Sequence, residues 1–309
     1  MKRIRKNKGL VKRPMRGAIP TPRHLLEGAT PYVGENAQSN GSPDAAQAEF
    51  VTPEPTSTET ITRRRSAMAK KKTSKARKRS LKRGALPTPR HLLAAATPYS
   101  VTIGAPPTHL VVPKKLSMWG NDVHGDCCTA EEAFAKACHS PEIFISDSVV
   151  MQWAKRHGVL EGANLHEILQ WMQTDGFMQG CHTYDDGPFY SLDWTNSAIL
   201  TSAISQGPVK IGVAADQLEV TWRANNGKVG WFATGYTNDA NEDHCVSLCG
   251  YGSLQWLAQQ FKVKVPAGTD GSKPGYALFT WDSVGIIDQP SLIAITHEAW
   301  LRNPTTVIK

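Results

Sequence analysis

Two adjacent cysteines, Cys127 and Cys128, open the stretch C-C-T-A-E-E-A-F-A-K-A. Its Ala130, Ala133, Phe134 and Ala137 recur at i, i+3, i+4 and i+7, a spacing that predicts an amphipathic helix. A thiol at a helix start meets unpaired backbone N–H groups and the positive end of the helix dipole. Both stabilise the thiolate and lower its pKa. The same N–H groups can receive an oxyanion developing on an attacked carbonyl. Successive helical residues point about 100° apart, so the two cysteines cannot both face one base. That base, usually histidine, must come from elsewhere in the chain. His244 opens the apolar run H-C-V-S-L-C-G-Y-G and is the candidate.

The surrounding elements must bring the two together. Residues 146–158 read as a second helix, capped by Ser146 or Asp147 and stopped by Gly158. Residues 164–176 read as a third, capped by Asn164 and ended by Gly176, and a fourth begins near Thr195. Strands are expected over 208–216, 228–234, 244–252, 261–267 and 276–282. Helices first and strands after predict an α+β fold.

With these parts in order, the chain resembles the papain-like cysteine peptidases, in the pattern of a divergent bacterial or phage-associated branch. Their nucleophile lies six residues after a Gln, with Gly two residues before the Cys and a helix after it. Here Asn121, Gly125 and Cys127 hold those places. The family's histidine strand, Asp-His-x-Val followed by Gly-Tyr-Gly, is matched at Asp243, His244, Val246 and Gly250, Tyr251 and Gly252. A Gly-Pro-Val strand between them is matched from Gly207. The resemblance runs over residues 103–303. It implies a two-lobed fold, a helical lobe with the nucleophile helix packed against a twisted antiparallel sheet or barrel. The active cleft would lie between the lobes.

It also implies roles. Cys127 takes the nucleophile position, and Cys128 the slot where the family has Trp. His244 is the base. Asn121, one methylene shorter than the family's Gln, is the oxyanion donor, and His124 is an alternative donor or a loop histidine. The family's Asn that orients the histidine is absent. The chain reads Thr280-Trp281-Asp282, and strand alternation would put Thr280 and Asp282 on one face. Asp282 is therefore the orienting candidate, with capping of the following turn as its other reading. The implied activity is a cysteine-dependent hydrolase, a peptidase forming an acyl-enzyme on peptide or protein substrates. Alternatives are an acyltransferase or amidase on the same fold, and a non-catalytic binding module whose basic tail binds polyanions.

Charge separates the chain into two parts. Residues 1–90 carry 22 Lys and Arg against 6 Asp and Glu, whereas residues 91–309 carry 13 against 21. Residues 1–82 read as a basic, mostly disordered arm, poor in residues to bury. It is either a polyanion contact or a solvated tail. R-G-A-I-P-T-P-R-H-L-L from Arg16 recurs as R-G-A-L-P-T-P-R-H-L-L from Arg83. The second copy, within 83–102, is expected along the domain as a lead-in strand or a segment filling the cleft. Met68, just before that copy's basic lead, is an alternative start. Residues 304–309 read as a tail. No secretory signal or membrane span is evident, which predicts a cytoplasmic protein with its six cysteines free. Cys138 and Cys181 are the pair to consider in an oxidising space. No cofactor is called for. The spacing of His124, Cys127, Cys128, Cys138 and His139 fits no usual zinc ligand set, so no metal is expected.

Overall fold

The computed structural model describes residues 81–101 and 104–309, all within one compact unit. The basic arm, the first repeat copy and Met68 lie outside the described residues, apart from Leu81 and Lys82 at the end of the arm.

In chain order the elements are β1 (Ala85–Leu86), α1 (Arg90–Ala95), β2 (His109–Leu110), α2 (Cys127–Ala137), α3 (Asp147–His157), β3 (Ala163–Asn164) and α4 (Leu165–Thr174). There follow β4 (Phe177–Gln179), β5 (His182–Asp185), β6 (Phe189–Ser191), α5 (Ser197–Gln206), β7 (Val209–Val213), α6 (Asp216–Ala224) and β8 (Phe232–Ala233). The last are β9 (His244–Ser253), α7 (Leu254–Gln260), β10 (Pro274–Thr280), β11 (Ser283–Asp288), α8 (Gln289–Ile295), β12 (Thr296–Arg302) and β13 (Val307–Ile308). The main sheet runs β6-β12-β7-β9-β10-β11-β8, antiparallel except between β11 and β8. It is open rather than closed into a barrel.

The α+β class expected from the sequence is the one observed, with helices on both faces of the main sheet. On one face of the sheet, α2, α3 and α4 share a core with Cys245, Cys249, Phe279 and Trp300. On the other, α5, α6 and α8 cover Val246, Leu248, Leu278 and Leu301. β9 is central and buried on both faces, which is why its sequence is almost continuously apolar. The Phe134 ring of α2 stacks on Phe279 of β10 at 4.0 Å between centroids, fixing that helix to the sheet. α3 ends as its sequence predicts, with Gly158 in the left-handed region (φ 75°) and its N–H turned back to the last carbonyls.

Four expectations need correction. The strand over 261–267 is absent. α7 ends at Gln260 with Phe261 as its C-cap, Lys262 turns with φ 57°, and Val263 N–H closes on the Ala258 carbonyl. Val263 and Val265 alternate because a loop docks on the core. The strand over 228–234 shrinks to Phe232–Ala233. The polar face of α2 is not solvent-exposed, because all eleven residues are buried, Glu131, Glu132 and Lys136 included. The residues read as a tail include β13, which pairs with β5.

Candidate active site

Cys127 is the first residue of α2 and follows Asp126, whose side chain makes no capping bond. His244 is the first residue of β9, paired in register with Val213 of β7. The helix start and the strand start therefore meet at the seam between the lobes. The His244 Nε2 lies 2.8 Å from the Thr280 hydroxyl, and its ring stacks on Trp281 at 4.3 Å and 17°. Its Nδ1 is buried without a hydrogen-bond partner.

Burial works against a thiolate at Cys127. The Cys128 side chain and the charge of neighbouring His244 outweigh it and hold the thiol well below its ordinary value. Cys128 goes the other way. Its contacts with the Cys127 and Cys245 sulfurs, with burial, push it well up, and its Sγ donates to the Ala163 carbonyl at 3.4 Å. The thiol beside the imidazole is thus the one disposed to ionise. Asp126, one residue earlier, is pushed up to about 8, first by burial and then by the Cys127 charge.

Thr280 and Asp282 do not share a strand face. β10 and β11 join through a two-residue turn in which Trp281 and Asp282 have φ of 45° and 60°, and Thr280 pairs with Ser283. Left-handed conformation at both central residues is the tight hairpin geometry that usually recruits Asn-Gly. Alternation therefore stops at Thr280, and the contact to His244 Nε2 comes from Thr280, a residue for which hydroxyl chemistry at the strand end was the only signal. Asn121 is buried and its Nδ2 donates to the His124 carbonyl at 3.1 Å. His124 itself turns toward Glu161, 3.2 Å away.

The chain's own residues 81–86 run across this seam. Lys82 N–H donates to the Asn121 carbonyl at 3.0 Å, and Trp281 Nε1 donates to the Lys82 carbonyl at 3.1 Å. Ala163 N–H donates to the Gly84 carbonyl and Ala85 N–H to the Asp243 carbonyl, at 2.9 and 3.1 Å. β1 pairs in parallel with β3. The crossing is close enough to need glycine, since a Cβ on Gly84 would stand 1.8 Å from the Gly125 carbonyl oxygen. Beneath this segment Cys127 and His244 keep only 2% and 1% of their surface. Where a groove was expected, residues 82–85 cross the seam and hydrogen-bond to Asn121, Ala163, Asp243 and Trp281. A cavity of 870 Å³ lies elsewhere, against Leu254, Asp270 and Ile293.

Arg83 anchors the segment. Its Nη1 meets Asp216 at 2.5 Å and Asp243 at 2.7 Å, and its Nη2 meets Glu219 at 2.6 Å. Partial burial opposes its charge, but these carboxylates outweigh that and raise its pKa above the ordinary arginine value.

Under the helix lies a second ionic cluster that the sequence did not announce. Lys210 Nζ donates to the Cys128 carbonyl at 2.8 Å, to Glu131 at 2.7 Å and to Glu132 at 2.6 Å. Arg302 grips Glu131 through two parallel bonds of 2.8 Å, and Lys136 pairs with Asp186. The tie from Lys210 to the Cys128 carbonyl fixes the first turn of α2 from below.

All six cysteines are free thiols, Cys138 and Cys181 included. Among the described residues no three His, Cys, Asp or Glu side chains are placed to hold a metal ion. No helix among them is long and apolar enough to cross a membrane.

No family model and no curated protein matches the chain. Solved structures do, and they are papain-like cysteine proteases. Xylellain, a cysteine protease from Xylella fastidiosa, matches with a TM-score of 0.49 at 15% identity, over 74% of this chain and 97% of that one. The ragweed Amb a 11 cysteine protease in its proform matches at 0.48 and 11%, over 69% and 72%. The Carica candamarcensis cysteine protease CMS1MS2, in complex with E-64, matches at 0.45 and 14%, over 64% and 98%.

Proposed function

We propose that the protein is a cysteine-dependent peptidase whose cleft is closed by its own residues 81–86. The observation that supports this most is the convergence at one seam of a low-pKa thiol, Cys127, and an imidazole, His244, held from behind by Thr280. Once the segment moves aside, the Cys127 thiolate attacks the carbonyl carbon of a peptide bond. The developing oxyanion takes hydrogen bonds from the Cys127 backbone N–H and from the second amide hydrogen of Asn121. The C–N bond breaks as His244 gives its proton to the leaving amine, leaving a thioester on Cys127. His244 then takes a proton from water, the hydroxide carbon–oxygen bond forms, and the acid leaves as the thiolate returns. Thr280 takes the orienting part for which Asp282 was the sequence candidate, and Trp281 covers the imidazole.

The test is hydrolysis of a denatured protein substrate by the full chain and by its Arg83→Ala variant, each also carrying Cys127→Ala or Cys128→Ala. Activity should vanish with Cys127 and survive the loss of Cys128. Turnover that persists in Cys127→Ala overturns the reading.

A further inference from the structure

Three carboxylates around one guanidinium, within the cleft, are more than an anchor for a covering segment. Asp216 and Glu219 lie in the first turn of α6, and Asp243 immediately precedes His244. Two of the three are held by parts of the fold that do not include residues 81–86. Asp243 Oδ1 accepts from the Ala215 N–H at 3.0 Å, and Glu219 Oε1 accepts from Arg223 Nε at 2.7 Å. The pocket is therefore built by the lobe itself, and Arg83 is its occupant. If residues 81–86 leave, three negative charges face one another, with Arg223 paired to Glu219 beside them. That repulsion favours a new cation in the same place. The fork of Arg83 spreads its two terminal nitrogens over three carboxylates, a geometry that a point-charge ammonium cannot reproduce.

We propose that the pocket of Asp216, Glu219 and Asp243 is the side-chain recognition site of this cleft, and that it takes the arginine of an incoming peptide. Asp243 is joined to the catalytic histidine through one peptide bond. A substrate arginine held there lies against the same seam where Cys127 and His244 meet. Residues 81–86 then occupy the cleft with the side chain that the cleft itself selects. The inference rests on reading that cleft as a hydrolase site, but its chemistry is that of binding and can be measured without turnover.

The experiment uses the full chain carrying Arg83→Ala and Cys127→Ala, with Arg83→Gln in place of Arg83→Ala as a second background. A fluorescent peptide with the sequence of residues 82–86, Lys-Arg-Gly-Ala-Leu, is titrated by anisotropy against its counterpart with citrulline for arginine. Citrulline keeps the shape and removes the charge. The arginine peptide should bind about tenfold or more tightly than the citrulline peptide, the size of a lost charged hydrogen-bond set. Adding Glu219→Gln, or raising the salt to about 0.5 M where a rim pair is screened, should close most of that gap. Equal binding of the two peptides in both backgrounds overturns the proposal, whether or not the chain hydrolyses peptides. Selective binding by a chain that proves to have no Cys127-dependent turnover sustains the pocket and overturns only the hydrolase reading.

Discussion

Two ionic clusters, one bonded to the Cys128 carbonyl and one including Asp243 just before His244, differ in their contact with water. Beneath α2, the side chains of Glu131, Glu132, Lys136, Asp186, Lys210 and Arg302 are essentially cut off from solvent. At the cleft, the Arg83 side chain keeps 21% of its exposure and that of Asp216 keeps 70%. A charge without solvent depends entirely on its partners. A charge at the rim can exchange a partner for water or for another ion at little cost. The first cluster therefore reads as permanent framework under α2, and the second as a contact that can be made and broken.

The sharpest way to break this comparison is to remove one cation from each cluster. Arg302→Met leaves Glu131 without its two-pronged partner and should destabilise the fold by about 3–5 kcal/mol, read from urea unfolding midpoints. Arg83→Met, at the rim, should cost less than about 1 kcal/mol in the same assay. Similar losses from both would erase the distinction.

Between the clusters stands His244, with Thr280 its neutral support. Thr280→Val should lower turnover about tenfold or more, the range for a hydrogen bond to a group that becomes charged. Thr280→Ser should restore most of it. A Val variant as active as the parent would assign the positioning of the imidazole to Trp281 stacking alone.

A third measurement compares carboxyls with and without cations. Burial would raise Glu132, but Arg302, Lys210 and Lys136 outweigh it and hold the group well below its ordinary value. Asp126 has no cation among its influences and is pushed up to about 8. Its folded pKa thus exceeds its unfolded one. Its contribution to stability is full below about pH 4, the ordinary carboxyl value, and fades as pH rises toward about 8. Asp126→Asn should flatten that decline, seen as a smaller difference between urea midpoints at pH 5 and pH 8. An unchanged slope would mean that Asp126 stays ionised in the fold.

The smallest effect is kinetic. Loss of the Arg83 anchor should let residues 81–86 lift more often and speed alkylation of Cys127 by iodoacetamide about fivefold, the factor that matches roughly 1 kcal/mol. Cys128 should stay slow in both proteins, because its thiol is pushed well up and donates to a carbonyl. Equal rates at Cys127 with and without Arg83 would make the segment a fixed part of the fold.

What was legible in the chain followed local rules. α3 and α4 announced themselves through Gly158 and Asn164, whose backbone and side-chain chemistry stop and start helices. β7 and β9 were visible as short apolar runs. α6, α7 and α8 were not expected, because seven to nine residues carry too little periodicity. That Thr280 and Asp282 do not share a strand face was not legible, because the turn at Trp281 reverses the chain one residue earlier than alternation implies.

The order of chemical groups along the chain determined the thiol at a helix start, the histidine at a strand start and the α+β class, since capping, helix dipole and side-chain periodicity act between near neighbours. Only the tertiary structure decided which hydroxyl meets His244, which cations neutralise Glu131 and Glu132, and that Arg83 reaches three carboxylates more than 130 residues away. Those pairings depend on where distant segments come to rest, and an electrostatic contact leaves no periodic mark in the sequence to show where its partner lies.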